Sequence, residues 1–203
     1  MAVCYIVGAG DCPELNINKK DGDIVIAADA GVNHLKRAGV IPDCIIGDFD
    51  SLGMKPDGEN VIVLKPEKDI TDMHAAVEIG IEKCFSEFVI YGATGGRLDH
   101  TFANFQLLAS LAARGMKAVI KDGKTEITAV HNSSVSFGAE NKGYISVFAH
   151  SDVCKGVTIK GLKYELEEAE MKNTFALGVS NEFIGRESII SVKEGILILH
   201  YIV

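Results

Sequence analysis

Along this chain the apolar positions follow two rhythms. In its first part short, compact apolar runs recur: Val3 to Val7, Ile24 to Ala28, Cys44 to Ile46, Val61 to Leu64, Phe88 to Tyr91 and Ala118 to Ile120. Runs of that length, rich in Val and Ile, predict strands buried on both faces. Between them the period lengthens. Met73, Ala76, Val77, Gly80, Ile81 and Cys84 recur at helical spacing behind Thr71, a side chain suited to the N-cap. Ala30 to Arg37 predicts a shorter helix ended by Gly39, and Phe102, Phe105, Leu108, Ala109 and Ala112 predict another, from Asp99 to Gly115. Strands alternating with helices imply an α/β fold with a mostly parallel sheet flanked by helices, whose ligands sit at the carboxyl ends of the strands.

The second rhythm begins near Lys124. Thr125 to Val130, Ser133 to Phe137, Tyr144 to Ala149, Val157 to Ile159, Leu162 to Leu166, Ser188 to Val192 and Ile196 to Tyr201 are short runs parted by Gly, Asn and Ser. Period-2 stretches with frequent turns and no helical pattern predict a C-terminal antiparallel β-sandwich domain. Asp122-Gly123 is the natural boundary, giving an α/β domain over residues 1–123 and a β-sandwich domain over 124–203. No internal repeat and no low-complexity segment breaks this division.

Composition narrows the function classes. A chain of 203 residues, 47% apolar, can build one large or two small cores. Its net charge of −8, without any block of Lys and Arg, argues against a nucleic-acid partner and means that an anionic ligand needs a cation beside it. The five cysteines, Cys4, Cys12, Cys44, Cys84 and Cys154, never form a C-x-x-C pair. Odd in number and scattered, they fit neither a disulfide framework nor a zinc site, but reduced thiols in a cytoplasm. No apolar run approaches the roughly 20 residues of a membrane helix, and no leader pattern precedes the first strand, so the expectation is a soluble, cytoplasmic protein without membrane contact.

Candidate chemistry gathers at the predicted strand ends. Gly92-Ala93-Thr94-Gly95-Gly96-Arg97-Leu98-Asp99-His100 joins a strand to a helix. Such a turn brings bare backbone N–H groups to an anion at the positive end of a helix, and Arg97 adds a planar fork of donors suited to phosphate. A tight βα turn that merely needs glycine is the competing reading; it is neither a P-loop nor a dinucleotide fingerprint. Asp29, Asp48, Asp50, Asp69, Asp72 and Asp99 also fall at strand ends or helix starts. In Gly47-Asp48-Phe49-Asp50-Ser51 an extended backbone would point both carboxylates the same way, where they could share a hard cation; a solvated turn is the alternative. In Lys68-Asp69-Ile70-Thr71-Asp72, capping by Thr71 and the helix dipole at Asp72 explain the residues equally well. Like charges gathered on one edge repel unless a cation or a cationic substrate sits among them, and Mg²⁺ suits a few carboxylates plus phosphate oxygens. The histidines show no ligand spacing, and His100 beside Asp99 also reads as an ordinary helix-surface residue.

Taken in order, Ala28-Asp29-Ala30-Gly31, Pro42-Asp43, Gly47 to Ser51, Lys68 to Asp72, Gly92 to His100 with Asn104, and Gly178-Val179-Ser180-Asn181-Glu182-Phe183 resemble the thiamine pyrophosphokinase (thiamin diphosphokinase) family over nearly the whole chain. The resemblance implies an N-terminal catalytic domain that binds ATP and Mg²⁺, a C-terminal domain that binds thiamine, and a homodimer with active sites at the subunit interface. ATP and thiamine would give thiamine diphosphate and AMP. It implies Asp48, Asp50 and Asp72 at the metal, with Arg97 and Asp99 joining them in the chemistry. Asp29, Ser51, Lys68, Asp69, Thr71, Thr94, Gly95, Gly96, Arg97, His100 and Asn104 would hold ATP, and Ser180, Asn181 and Glu182 would face thiamine. The chain has no tryptophan, where some members of the family stack one on the vitamin. Rival expectations are a pterin-alcohol pyrophosphokinase, an aspartate-rich metal-dependent phosphoesterase suggested by Asp99-His100, and a nucleotide-binding regulatory module without turnover.

Overall fold

The computed structural model describes residues 1–49, 60–65, 67 and 69–202. The chain divides into two compact units, Met1–Leu107 with Ile120–Gly123, and Leu108–Val119 with Lys124–Val203.

The first unit carries β1 (Cys4–Val7), β2 (Ile24–Ala28), α1 (Gly31–Ala38), β3 (Cys44–Gly47), β4 (Val61–Val63), α2 (Asp72–Glu82) and β5 (Glu87–Tyr91). α3 (Leu98–Ala113) begins within it, and β6 (Lys117–Asp122) ends within it. β5, β1, β2, β3 and β4 lie side by side in that order, every pair parallel. Successive side chains of a strand face opposite sides, so one apolar run feeds two layers. Tyr5, Val7, Val25, Ala27, Val89 and Tyr91 pack with Leu35 of α1 on one face. On the other, Gly80 of α2 lies so close that a Cβ would come within 2.7 Å of the Phe88 ring and 2.9 Å of the Cys4 sulfur. Glycine there is a packing requirement, although it weakens an isolated helix by about 1 kcal/mol. Leu35, fully buried, contributes about 2 kcal/mol of hydrophobic stabilisation to the opposite layer.

The helix ends follow local chemistry. Thr71 Oγ1 accepts from the His74 N–H at 3.1 Å, as an N-cap should, and Gly39 closes α1 in the left-handed conformation, φ 69°. Cys84 departs from its expected place on the α2 stripe, since the helix ends at Glu82 and Cys84 turns left-handed at φ 66°. Phe102, expected in the α3 core stripe, is 62% exposed.

The second unit has β7 (Thr125–His131), β8 (Ser134–Phe137), β9 (Tyr144–Ala149), β10 (Val153–Lys160), β11 (Leu166–Lys172), β12 (Gly178–Glu182), β13 (Ser188–Ser191) and β14 (Ile196–Ile202). β7, β14, β9 and β12 pair antiparallel in that order, and so do β8, β13, β10 and β11. Both layers supply one core, with Ile145, Val147, Leu197 and Leu199 against Val157, Ile159, Met171 and Ile190. The expected sandwich is therefore present, with differences of detail. The expected strand Val157 to Ile159 extends to Val153–Lys160. Leu162 to Leu166 is not a strand: Gly161 turns at φ 81°, Leu162 is fully buried in an isolated bridge to Phe183, and the strand begins only at Leu166. Leu166–Lys172, with its four acidic and basic side chains, hides an edge strand that apolar periodicity cannot reveal. Gly178–Glu182 is likewise a strand, with Ser180 left-handed at φ 58° and a shifted register.

Candidate active site

Because β1, β2, β3 and β5 run parallel, the segments that leave them emerge on one edge of the sheet. There a cavity of about 450 Å³ opens, lined by Gly8 to Asp11 after β1, Ala28 to Ala30 after β2, Thr71 to Met73 at the start of α2, and Gly92 to Arg97 with His100 and Asn104 after β5. Asp29, Thr71, Asp72, Thr94, Gly95, Gly96, Arg97, His100 and Asn104, all expected at the nucleotide or metal, are thus brought together.

The walls are held by main-chain hydrogen bonds. The N–H groups of Gly8, Gly10 and Asp11 donate to the carbonyls of Tyr91, Gly92 and Thr94 at 2.8, 2.9 and 2.8 Å, fastening the β1 exit to the glycine turn. A Cβ on Gly10 would meet Thr94 O at 2.4 Å, so the approach demands glycine. From behind the turn the buried Asn104 Nδ2 donates to Ala93 O at 2.7 Å, and Thr94 Oγ1 donates to Asp122 Oδ2 at 2.8 Å. Gly95 and Gly96 adopt positive φ of 75° and 56°, a left-handed course that glycine takes without strain. On the opposite wall Asp29 itself is left-handed, φ 50°, its N–H donating to Ile46 O at 2.7 Å. Phe49, buried beyond β3, has φ 59°. Non-glycine residues in this region cost backbone energy, and such strain gathers at functional sites.

Arg97 does not stand open. Its Nη2 donates to Asp99 Oδ2 at 2.6 Å and its Nε to Oδ1 at 3.2 Å, a two-point pair with both side chains well exposed. The hydrogen bond from Arg97 holds the Asp99 carboxyl below the usual carboxylate range and raises Arg97 in return. In water such a pair is weakly bound, so the fork can turn from carboxylate to phosphate at little cost.

Asp48 follows β3 directly and is half-buried, while Asp69 is exposed just before Thr71. Asp50, Ser51 and Lys68 lie outside the described residues. Among the described residues no three His, Cys, Asp or Glu gather at metal-binding spacing. The donor chemistry nonetheless suits a hard cation, because Asp29 and Asp72 bring only oxygens to the cavity and Mg²⁺ takes its remaining ligands from water and phosphate. Asp43, part of the resemblance, serves the fold, since its carboxylate accepts from Val25 N and Lys19 Nζ at 2.7 and 2.6 Å.

Ser180, Asn181 and Glu182 lie on β12 in the second unit. Asn181 is buried, its Oδ1 accepting from Tyr164 N and Glu182 N at 3.0 and 2.9 Å and its Nδ2 donating to Tyr164 O at 2.7 Å. Its amide shapes the neighbouring loop. The strained Ser180 is exposed, and Glu182 pairs with Lys163 at 2.6 Å.

Sequence reasoning missed Gly8, Gly10 and Asp11 as site residues. The signal was there, since a Gly-Ala-Gly-Asp run at the end of a parallel strand is where such folds bind ligands. Asp122, behind Thr94, left no such signal.

Residues 17–120 match the family model described as thiamin pyrophosphokinase, catalytic domain, and residues 132–197 match its vitamin B1 binding domain. The thiamine pyrophosphokinase of Bacillus subtilis (strain 168) is 31% identical over 194 residues, 92% of this chain and 91% of that protein. Thiamin pyrophosphokinase 1 of Caenorhabditis elegans is 28% identical over 173 residues, 77% of this chain and 70% of that one. The crystal structure of the Bacillus subtilis enzyme superposes with a TM-score of 0.87 at 30% identity, covering 98% of each chain. Matched in sequence and fold along nearly its whole length, the chain belongs to the thiamin pyrophosphokinase family.

Proposed function

We infer that this chain carries out the reaction of its family, transferring the pyrophosphoryl group of ATP to the hydroxyl of thiamine to give thiamine diphosphate and AMP. The observation that carries the reading is the strand-end cavity, where a glycine turn and Arg97 face Asp29 and Asp72 within the stretch matched by the catalytic-domain model.

The hydroxyl oxygen of thiamine attacks the β-phosphorus, the bond from that phosphorus to the α,β-bridging oxygen breaks, and AMP departs. The hydroxyl proton passes to a carboxylate or to water. Little covalent work falls to the protein, so positioning and charge stabilisation dominate. Gly95 and Gly96 hold the triphosphate by backbone donors, beside a Thr94 whose hydroxyl is fixed from behind by Asp122. Arg97 leaves Asp99 to meet charge on the transferring phosphates. Asp48 and Asp72 would hold Mg²⁺, with Asp50 completing the set of carboxylates; bound there, the ion neutralises the phosphate oxygens. Residues 1–123 serve ATP and residues 124–203 serve thiamine, whose cationic ring suits an acidic chain.

A homodimer fits the exposed apolar side chains Leu98 and Phe102, one helical turn apart on α3 and 69% and 62% exposed. A cytoplasmic setting fits the free thiols. No helix among the described residues is long and apolar enough to cross a membrane.

Incubation with ATP, Mg²⁺ and thiamine tests the reading. AMP and thiamine diphosphate are expected in equal amounts; ADP with thiamine monophosphate, or phosphate release without thiamine, would overturn it.

A further inference from the structure

We propose that His34, braced by Arg37, is a positioning residue for the ATP site: it keeps the carbonyl of Gly10 turned away from the cavity in which the triphosphate is bound. The proposal rests on the reading of that cavity as the ATP site. His34 lies on α1, half-buried, and is not among the residues lining the cavity. Its Nε2 is 2.9 Å from Gly10 O, and its Nδ1 is in hydrogen-bond contact with Arg37 Nη2, one turn along the same helix. A carbonyl oxygen only accepts and a guanidinium only donates, so the proton must sit on Nε2 and the lone pair on Nδ1. Arg37 therefore fixes the tautomer that lets His34 donate to Gly10.

The consequence lies in one peptide plane. Gly10 C=O and Asp11 N–H belong to the same trans peptide, so they point in opposite directions. His34 Nε2–H holds the carbonyl end, and Thr94 O accepts the N–H end at 2.8 Å. This plane is clamped between α1 and the glycine turn. Without the histidine clamp the carbonyl is free to rotate, glycine offers no steric resistance, and a partial negative charge can swing toward the triphosphate while Thr94 loses its anchor. Removal of the clamp should therefore weaken ATP binding without touching thiamine.

Steady-state kinetics with each substrate varied, together with calorimetric titration of a non-hydrolysable ATP analogue, tests this. His34→Ala is expected to raise KM for ATP and the analogue Kd by about fivefold, the span of one net hydrogen bond, with KM for thiamine unchanged. His34→Gln, whose amide can donate to Gly10, is expected to recover most of the loss. Arg37→Met, at a more exposed position that leaves the fold in place, is expected to shift the same two constants in the same direction by a smaller factor. Unchanged analogue affinity in His34→Ala, equal losses for both substrates, or a His34→Gln variant no better than alanine would each overturn the proposal. Because the analogue titration needs no turnover, a wild-type protein that binds it but fails to make thiamine diphosphate would overturn the functional reading and leave this one standing.

Discussion

At the scale of single residues, the acidic and basic groups of the site divide by what they touch. Arg97 is paired with Asp99 in water, and such a pair contributes little to folding. Arg97→Ala should therefore leave the melting temperature unchanged while lowering kcat/KM by about a hundredfold, as removal of one preorganised donor to a transition-state charge does. A parallel fall in melting temperature and activity would return Arg97 to the surface. Asp48 tests the metal in the same way. Asp48→Asn should cost at least about a hundredfold in activity with Mg²⁺, whereas the melting temperature without Mg²⁺ should stay level or climb, because a carboxylate meant for a cation repels its neighbours once the cation is gone. A variant that melts much lower while its folded fraction turns over normally would make Asp48 a turn residue. Asn104, expected at ATP, lines the cavity, and one of its two amide N–H groups donates to Ala93 O, so it also fixes the glycine turn.

Elements are fixed by residues that satisfy backbone groups where no ladder does. Asp23, buried just before β2, accepts from Val3 N and Lys20 N at 2.7 and 2.8 Å, tying the starts of β1 and β2 together. These backbone donors, Lys20 foremost, hold its carboxyl below the ordinary range. With the folded value depressed, the stabilisation is complete above the unfolded value and vanishes as pH falls through the folded one. Asp23→Ala should thus cost about 1–3 kcal/mol in urea unfolding at pH 7, and the deficit should narrow at about pH 3, below the unfolded value near 3.9. An equal deficit at both pH values would mean that packing, not charge, holds the corner. The same scale explains what periodicity revealed. β2 and β9 coincide with the apolar runs that announced them, because their side chains face a core. β11 was hidden, because a strand carrying Glu167, Glu168, Glu170 and Lys172 offers little apolar alternation.

For the molecule as a whole, fold class and the edge of the sheet that carries the site were legible because both follow from parallel strands, whose exits must share an edge. Pairings that bring distant segments together were not: Thr94 with Asp122 and His34 with Gly10 depend on tertiary geometry that no spacing encodes. Phe102 is the informative failure. Helical spacing assigned it to the core, yet it stands 62% exposed with Leu98 one turn before it. Leu108 and Ala109 farther along the same stripe are buried, so the exposed apolar pair at the start of α3 is what a second chain would be expected to cover. The protein should therefore sediment as a dimer at the concentrations at which it is active. If α3 contributes to that contact, Phe102→Lys places a charge in an apolar interface and should shift the equilibrium toward monomer, with activity falling in step as the protein is diluted. A wild-type protein that is monomeric by light scattering yet fully active would remove the dimer. A Phe102→Lys protein that stays dimeric would move the interface elsewhere and leave the exposed pair on α3 to the surface.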